Sequence, residues 1–284
     1  MKKILLPTDF SANSWNAIKY ALQLFKEEEC SFYLLNAYTP IVYHIEYVIV
    51  NPAQFGMGDP IRENSLQGLD SMCKKIDEEF NNPKHHFESI AAFNSLIPEI
   101  KAIVADKSID YVVMGTKGAT GAKEVLFGSN TVHVFKNIDC PVLAIPDNFD
   151  FENPLEILFP SDFQIDFQDD HIKPIVQIAE NYHSRVTILH VLHQSGLSDF
   201  QKENKSKLET FFKSVAHLFF EMKYQNIREA IANYQMKSRV NLLVMINNKH
   251  SFFEKLFFKP NISQIGLHIH VPFLVIPSEI RKSA

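Results

Sequence analysis

The chain has 284 residues, of which 46% are hydrophobic, and its formal net charge is −5. This length suits one large domain or two domains of about 140 residues. The acidic balance excludes the basic surface typical of nucleic-acid binding, and no apolar run approaches the ~20 residues that a membrane-spanning helix needs. The three cysteines fit neither a disulfide framework nor a zinc pattern, which favours buried thiols in a reducing compartment. We therefore expect a cytoplasmic protein without a signal peptide and with neither a nucleic-acid nor a membrane partner.

The first half alternates strands and helices. Hydrophobic patterning predicts strands over 3–7, 31–37, 87–92, 111–114 and 142–145, and helices that begin at 11, 61, 96 and 131. Such alternation implies a parallel sheet with helices on both faces. Ligands of these sheets bind beyond the carboxyl ends of the strands, where the strand order reverses. Asp9, Ala37 and Gly115 should therefore lie on one rim.

A glycine-bearing loop follows the predicted strand 111–114. Gly115 and Gly118 are separated by two residues, and nine further residues lead to Gly128, Ser129 and Asn130 at the start of a short helix. Glycine lets the main chain turn and bring its N–H groups close to an anion. The N-terminus of the following helix directs a partial positive charge at the same place. The spacing matches neither a Walker A loop nor the dinucleotide fingerprint.

The chain also contains an internal repeat. Residues 3–10 return as 156–163, and the later parts of the two copies align without a gap, 111–114 on 242–245 and 140–146 on 271–277. We therefore predict an α/β protein of two tandem doubly wound domains, each a five-stranded parallel sheet with helices on both faces. The expected boundaries are 1–147 and 154–280, joined by a short polar linker that contains proline.

The loop spacing, together with residues 3–11 and 140–146, resembles the nucleotide-binding signature of the universal stress protein family, in its ATP-binding branch. The resemblance implies a fold like that of the adenine nucleotide alpha hydrolases and a bound adenine nucleotide, either ATP, AMP or ADP, with Mg²⁺ as a candidate companion. It also implies a role for each matching residue: Pro7 and Thr8 line the pocket, Asp9 contacts the nucleotide, Ala37 packs on adenine, Met114 faces the base, Gly115 and Gly118 lie under the phosphates, and Gly128, Ser129 and Asn130 hold them.

Some of these residues also have plainer interpretations. Asp9 could be the N-cap of the helix after Ser11 instead of an acceptor for ribose hydroxyls. Lys117 and Lys123 could face a triphosphate, although solvated loop lysines are the commoner case. The segment 38–60 is too apolar for an idle linker, and it suits either a flap over the nucleotide or, more simply, a contact with the second copy.

The second copy is predicted to keep the scaffold without the site. In the gapless alignment, side chains replace bare main chain: Gly115 becomes Ile246, Gly118 becomes Lys249, Gly128 becomes Lys259 and Ser129 becomes Pro260. These changes block the close approach of an anion and remove an N–H donor. Asp162 remains, and without a phosphate loop it suits a capping role. One nucleotide per chain is therefore expected, in the first copy.

Three functions are compatible with this pattern. The first is an ATP-binding regulatory protein that acts on an unknown protein partner. The second is a slow ATPase, for which Glu124 is the only candidate base, and the third is a paired scaffold that binds no ligand. We favour the first and assign no catalytic or metal-binding residue. The resemblance further implies that 142–145 and 273–276 pair edge to edge within one chain as a pseudo-dimer, with further homodimerisation open.

Overall fold

The computed structural model describes residues 1–39, 44–45, 48–49, 58–116, 128–192, 196–223, 226–248 and 270–279. Within these ranges the strands are β1 (Lys2–Pro7), β2 (Cys30–Tyr38), β3 (His44–Ile45), β4 (Val48–Ile49), β5 (His85–Phe93), β6 (Tyr111–Gly115), β7 (Val142–Ile145), β8 (Glu156–Pro160), β9 (Arg185–Leu192), β10 (Ala216–Lys223), β11 (Leu242–Asn247) and β12 (Phe273–Pro277). The helices are α1 (Ala12–Leu24), α2 (Gly58–Glu79), α3 (Leu96–Lys107), α4 (Ser129–Asn137), α5 (Asp169–Tyr182), α6 (Asp199–Phe211) and α7 (Ile227–Lys237).

Ten of these strands form one sheet, in the order β10-β9-β8-β11-β12-β7-β6-β1-β2-β5. Strands of the first half pair in parallel, and so do strands of the second half. The halves meet where β7 and β12 pair antiparallel, with Ala144 opposite Phe273 and Val142 opposite Val275. The predicted α/β class is thus confirmed as a large, mostly parallel sheet flanked by helices. The short strands β3 and β4, in the predicted insert, form a separate antiparallel pair.

The register of the sheet bears out the gapless alignment between the halves. Val112 pairs with Val142 in the first half, and the aligned Leu243 pairs with Phe273 in the second. Three residues further along, Gly115 pairs with Ile145 and Ile246 pairs with Ile276, so the positions of Gly115 and Ile246 are structurally equivalent.

Each face of the sheet carries a hydrophobic core that runs through both halves. One core lies under α1, α2, α5 and α6 and contains Leu143 and Leu274, and the other lies under α3, α4 and α7 and contains Ala144 and Val275. Because side chains alternate along a strand, β7 and β12 contribute to both cores. The two halves therefore share their cores across the join instead of closing them separately.

Helix α2 differs from its prediction in two ways. It begins at Gly58, ahead of Pro60, because proline is tolerated in the first turn of a helix, where its missing N–H has no intrahelical partner. Leu66, which the pattern predicts to face inward, is 40% exposed, whereas Ser65 and Leu69 are buried. Ser65 lies inward because its hydroxyl donates to Oδ1 of Asn36 at 2.7 Å.

The segment between the halves is more apolar in structure than its polar composition predicts. The rings of Phe149 and Phe151 pack against Tyr20 with centroids 6.2 and 5.1 Å away, and Phe151 also contacts Tyr182. The hydroxyl of Tyr182 in turn donates to the carbonyl of Leu24 at 2.7 Å. None of the helices described here is both long and apolar enough to cross a membrane.

Candidate functional site

The candidate site lies where the strand order of the first half reverses. From β1 the chain adds β2 and β5 on one side, and β6 and β7 on the other. Parallel strands end at the same edge, so the carboxyl ends of β1, β2 and β6 meet at one rim. This is the place where open α/β sheets bind ligands. The predicted neighbours Asp9, Ala37 and Gly115 follow or end these three strands.

Three of the predicted pocket residues share one face of the sheet at this rim. Met114 lies in the core under α3 and α4 and is 7% exposed, and half-buried Ala37 packs against the same core. Pro7 is two residues after Leu5 of that core, so the alternation of the strand places it on the same face. Pro7 is buried too, so Ala37 is the only one of these three residues that is partly exposed.

A tight turn after β1 fixes Thr8 and exposes Asp9. The hydroxyl of Thr8 accepts from the N–H of Phe10 at 3.0 Å and lies 3.0 Å from the hydroxyl of Ser14. Asp9 is exposed, and its Oδ1 accepts from the N–H of Ser11 at 3.1 Å and from the Ser11 hydroxyl at 2.5 Å. The N-cap of α1 is Ser11, whose side chain accepts from the N–H of Ser14. The capping role considered for Asp9 is therefore filled by Ser11, which Asp9 orients.

Gly115 faces α1 at close range. A Cβ atom built on Gly115 would lie 2.6 Å from Nδ2 and 2.8 Å from Cγ of Asn13, which is 7% exposed. Val113, on the same face of β6, belongs to the core under α1. The structural reason for glycine here is thus the side chain of Asn13. The predicted contact of Gly115 with phosphates stays a prediction.

The N-terminus of α4 opens at the same rim. The N-cap is Gly128, in extended conformation and without a side-chain capping bond, and Ser129 and Asn130 are the first, exposed residues of the helix. The helix therefore begins two residues before its predicted start. Buried Thr131 fastens it, because its hydroxyl donates to the carbonyls of Gly115 at 3.0 Å and Thr116 at 3.3 Å. The N–H of Gly128 donates to the same Thr116 carbonyl.

The rest of the predicted loop lies outside the described residues. This concerns Gly118 together with Lys117, Lys123 and Glu124. Among the residues that are described, no group of three or more His, Cys, Asp and Glu side chains could hold a metal ion.

The rim of the second half repeats the turn of the first. Ser161 accepts from the N–H of Phe163 at 3.1 Å, and Oδ1 of Asp162 accepts from the N–H of Gln164 at 3.1 Å. The Nδ1–H of His190 donates to the carbonyl of Ser161 at 2.8 Å. At the equivalent place in the first half, Nδ2 of Asn36 donates to the carbonyl of Thr8, also at 2.8 Å. Asp162 thus orients the chain after its strand, but the capping role predicted for it is wrong, since the N-cap of α5 is Gln168.

Larger side chains fill this second rim. Ile246, equivalent to Gly115, is 4% exposed and belongs to the core. The ring of Phe163 is fully buried and stacks on His190 at 4.6 Å between centroids, whereas the equivalent Phe10 is 37% exposed. Lys249, Lys259 and Pro260 lie outside the described residues.

Sequence reasoning missed the polar residues that support the first rim. These are Asn13, Asn36, Ser65 and Thr131, all of which are buried or half-buried. Asn36 interrupts the apolar run that begins at Phe32, and Thr131 lies three residues after Gly128 of the loop, so both carry a signal that could have identified them. Asn13 and Ser65 stand on helix faces where an ordinary polar surface residue gives the same pattern.

Comparison with known proteins gives a consistent result. Residues 1–146 match the sequence model of the universal stress protein family. The universal stress protein MJ0531 of Methanocaldococcus jannaschii is 32% identical over 147 residues, which cover 51% of this chain and 81% of that protein. MJ0577 of the same organism is 28% identical over 154 residues, 51% of this chain and 94% of that protein.

The likeness also extends to the second half of the chain at the level of structure. A solved universal stress protein of Archaeoglobus fulgidus covers 97% of this chain and is itself covered to 98%, with a TM-score of 0.62 at 16% identity. At this identity the likeness concerns the fold alone.

Proposed function

Because this chain belongs to the universal stress protein family, we propose that its first half binds one adenine nucleotide and that the second half binds none. ATP is the proposed occupant, with ADP and AMP as weaker ligands and Mg²⁺ carried on the phosphates. The bound nucleotide stabilises one state of the molecule and thereby regulates its contact with a protein partner, in the cytoplasm.

The observation that carries the proposal is the position of the N-terminus of α4 at the switch point of the sheet. Its first N–H groups have no intrahelical acceptors, and the N-cap Gly128 offers no side-chain oxygen to them. Ser129 and Asn130 are exposed beside them and add a hydroxyl and an amide. Together with the partial positive charge of the helix end, these donors suit a phosphate.

The remaining groups of the rim suit the rest of a nucleotide. The exposed carboxylate of Asp9 lies at this rim, and a carboxylate suits the hydroxyls of a ribose as a hydrogen-bond acceptor. Ala37 presents a small apolar surface on the face that also carries Pro7 and Met114, and such a surface suits the flat adenine ring. The rim therefore carries polar, charged and apolar groups of the kinds that an adenine nucleotide requires.

The proposal assigns nucleotide binding to the first half of the chain only. We propose two domains, over 1–147 and 154–280, that form a pseudo-dimer within one chain, and the antiparallel pairing of β7 with β12 supports this arrangement. The filled rim around Ile246 and Phe163 supports a second domain without a nucleotide. A binding stoichiometry of one per chain follows.

The test uses two matched substitutions, Asp9→Asn and Asp162→Asn. Both aspartates accept the N–H two residues ahead at 3.1 Å, and asparagine keeps an oxygen for that bond. Calorimetric titration of the parent protein with Mg·ATP should give one site. Asp9→Asn should weaken ATP about tenfold or more, because a charge-assisted hydrogen bond is lost, whereas Asp162→Asn should leave the affinity unchanged.

Other results would overturn the proposal. Two sites per chain would show that the second rim also binds, and equal effects of the two substitutions would remove Asp9 from the site. Following ADP in the same mixtures separates binding from slow hydrolysis. A parent protein that shows no binding of ATP, ADP or AMP would refute the assignment as a whole.

A further inference from the structure

Helix α4 is short and depends on contacts outside itself. Its nine residues make a helix about 13 Å long at 1.5 Å per residue, a length at which packing and not intrinsic propensity decides stability. In the first half, Thr131 ties its N-terminal turn to the end of β6. Its C-terminal turn is also contacted by residues of the other half of the chain.

The antiparallel join explains how the second half reaches α4. Since β7 and β12 run in opposite directions, the carboxyl end of the second half lies beside the amino end of the first. Helix α4 begins at the carboxyl rim of the first half and leads back towards the amino end of β7. Its last turn therefore meets the carboxyl end of β11, where Asn247 stands.

Two contacts fasten that last turn. Nδ2 of Asn247 donates to the carbonyl of Phe135 at 2.7 Å, and the ring of Phe135 meets the ring of Phe273 edge to face, with centroids 5.7 Å apart. The final carbonyls of a helix have no N–H partner within the helix, so a donor from outside stabilises the end. Both Phe135 and Phe273 are buried, at 2% and 0% exposed.

We propose that Asn247 is a positioning residue for the nucleotide site: the second half, through Asn247 and Phe273, holds α4 so that its N-terminal N–H groups point at the phosphates. This inference rests on the proposed function. The donors of a helix that is fixed at both ends are already oriented when the ligand arrives, so binding does not have to order them. The second half thus contributes to a site that it does not line.

The inference has a distinctive signature, which depends on the phosphates. Only the phosphate tail meets the N-terminus of α4, whereas adenosine relies on the rim groups at β1 and β2. Asn247→Ala should therefore weaken ATP about threefold to tenfold, the effect of one hydrogen bond, and leave the affinity for adenosine unchanged. A general loss of structure would weaken both ligands together.

The matched control is Asn181→Ala. Nδ2 of Asn181 also crosses between the halves, donating to the carboxylate of Glu28 at 3.0 Å, but it touches neither α4 nor the rim. Its loss should change neither affinity. Asn247→Gln keeps an amide donor and should stay closer to the parent protein in ATP affinity than Asn247→Ala. Amide hydrogen exchange without nucleotide should be faster along 129–137 in Asn247→Ala and unchanged there in Asn181→Ala.

The outcomes separate this inference from the proposed function. A parent protein that binds neither ATP nor adenosine would overturn the proposed function. A parent protein that binds ATP, while Asn247→Ala matches Asn181→Ala in both affinities and in exchange, would overturn the role of Asn247 alone. An equal loss of ATP and adenosine affinity in Asn247→Ala would also overturn it.

Discussion

The two rims of the molecule share a backbone and differ in what fills it. In both, the strand is followed by a serine or threonine, an aspartate and a phenylalanine, and that phenylalanine has a positive φ, 62° at Phe10 and 57° at Phe163. In both, the backbone N–H of the residue after this phenylalanine donates a hydrogen bond to Oδ1 of the aspartate, at 3.1 Å. The second rim is filled by Ile246, His190 and the Phe163 ring, and the equivalent residues of the first rim are Gly115, Asn36 and the partly exposed Phe10.

This comparison distinguishes features that belong to the fold from features that belong to the candidate binding site. The aspartate and its turn are also present in the second half, where larger side chains fill the rim. The turn is therefore part of the connection from the strand to α1 or α5, and it is not specific to a binding site. A positive φ costs energy in any residue with a side chain, and both halves retain it. What distinguishes the described part of the first half is glycine at position 115 instead of Ile246, and an exposed Phe10 ring instead of the buried ring of Phe163. The motif around Asp9 therefore does not identify a binding site by itself, and the assignment depends on the residues that surround it.

The largest effect is expected where the second rim is emptied. Ile246→Ala removes three carbon atoms from a side chain that is 4% exposed, and the cavity should lower the free energy of unfolding by about 3 kcal/mol. No nucleotide site should appear, since Phe163 and His190 still occupy the rim. Urea denaturation measures the first effect and calorimetric titration the second. A second binding event in this variant would mean that Ile246 alone keeps the nucleotide out.

A smaller effect is expected when the first rim is crowded. Gly115→Ala places a Cβ within 3.0 Å of Asn13 and should lower the free energy of unfolding by about 1–3 kcal/mol, the cost of overpacking. Asn13→Ala combined with Gly115→Ala should recover part of this loss, because the clashing atoms are then absent. A double-mutant cycle measures the coupling. Additive effects would show that Asn13 is not what the glycine accommodates.

The smallest effect concerns a histidine that only the first half has. Burial lowers the pKa of His85 from its ordinary value of 6.5, although a hydrogen bond of Nε2–H to the carbonyl of Phe25 opposes this. The folded protein therefore resists protonation, and as pH falls below about 6.5 the unfolded chain binds more protons. Stability is complete above that pH and is lost below it, with a slope of at most about 1.4 kcal/mol per pH unit for one proton.

His85→Leu should flatten this slope between pH 6.5 and 5.5, as measured by denaturation at a series of pH values. The equivalent position of the second half is Val215, which does not titrate. The matched control is His86→Leu, since His86 is exposed on the opposite face of the same strand. An equal flattening in the control would contradict the assignment to His85.

Much of the fold could be predicted because its signals are local or repeated. Strand and helix order follow from hydrophobic periodicity, and the equivalence of Gly115 and Ile246 follows from the alignment of the halves, which the sheet register bears out. The pattern places the start of α2 too late because Pro60, a common boundary signal, here stands within the first turn of the helix. It places Leu66 inward because it cannot show that Asn36, distant in sequence, accepts a hydrogen bond from the inward-facing hydroxyl of Ser65.

The candidate site was predictable only in part, for a physical reason. The rim position of Asp9 and Ala37 follows from general rules for parallel sheets. The contact of Gly115 with Asn13 depends on how α1 packs against β6, and the bond of Asn247 to Phe135 depends on how two halves are joined, 112 residues apart. A single sequence contains no periodic signal for such pairings.

The join between β7 and β12 also sets how the molecule responds to dilution. Two separate halves would find each other only at sufficient protein concentration, whereas a shared chain keeps each at a high effective concentration for the other. The backbone groups of Val142–Ile145 therefore stay covered even in very dilute solution. A fragment that ended at residue 147 would lose this protection, and its oligomeric state would depend on how much of it was present.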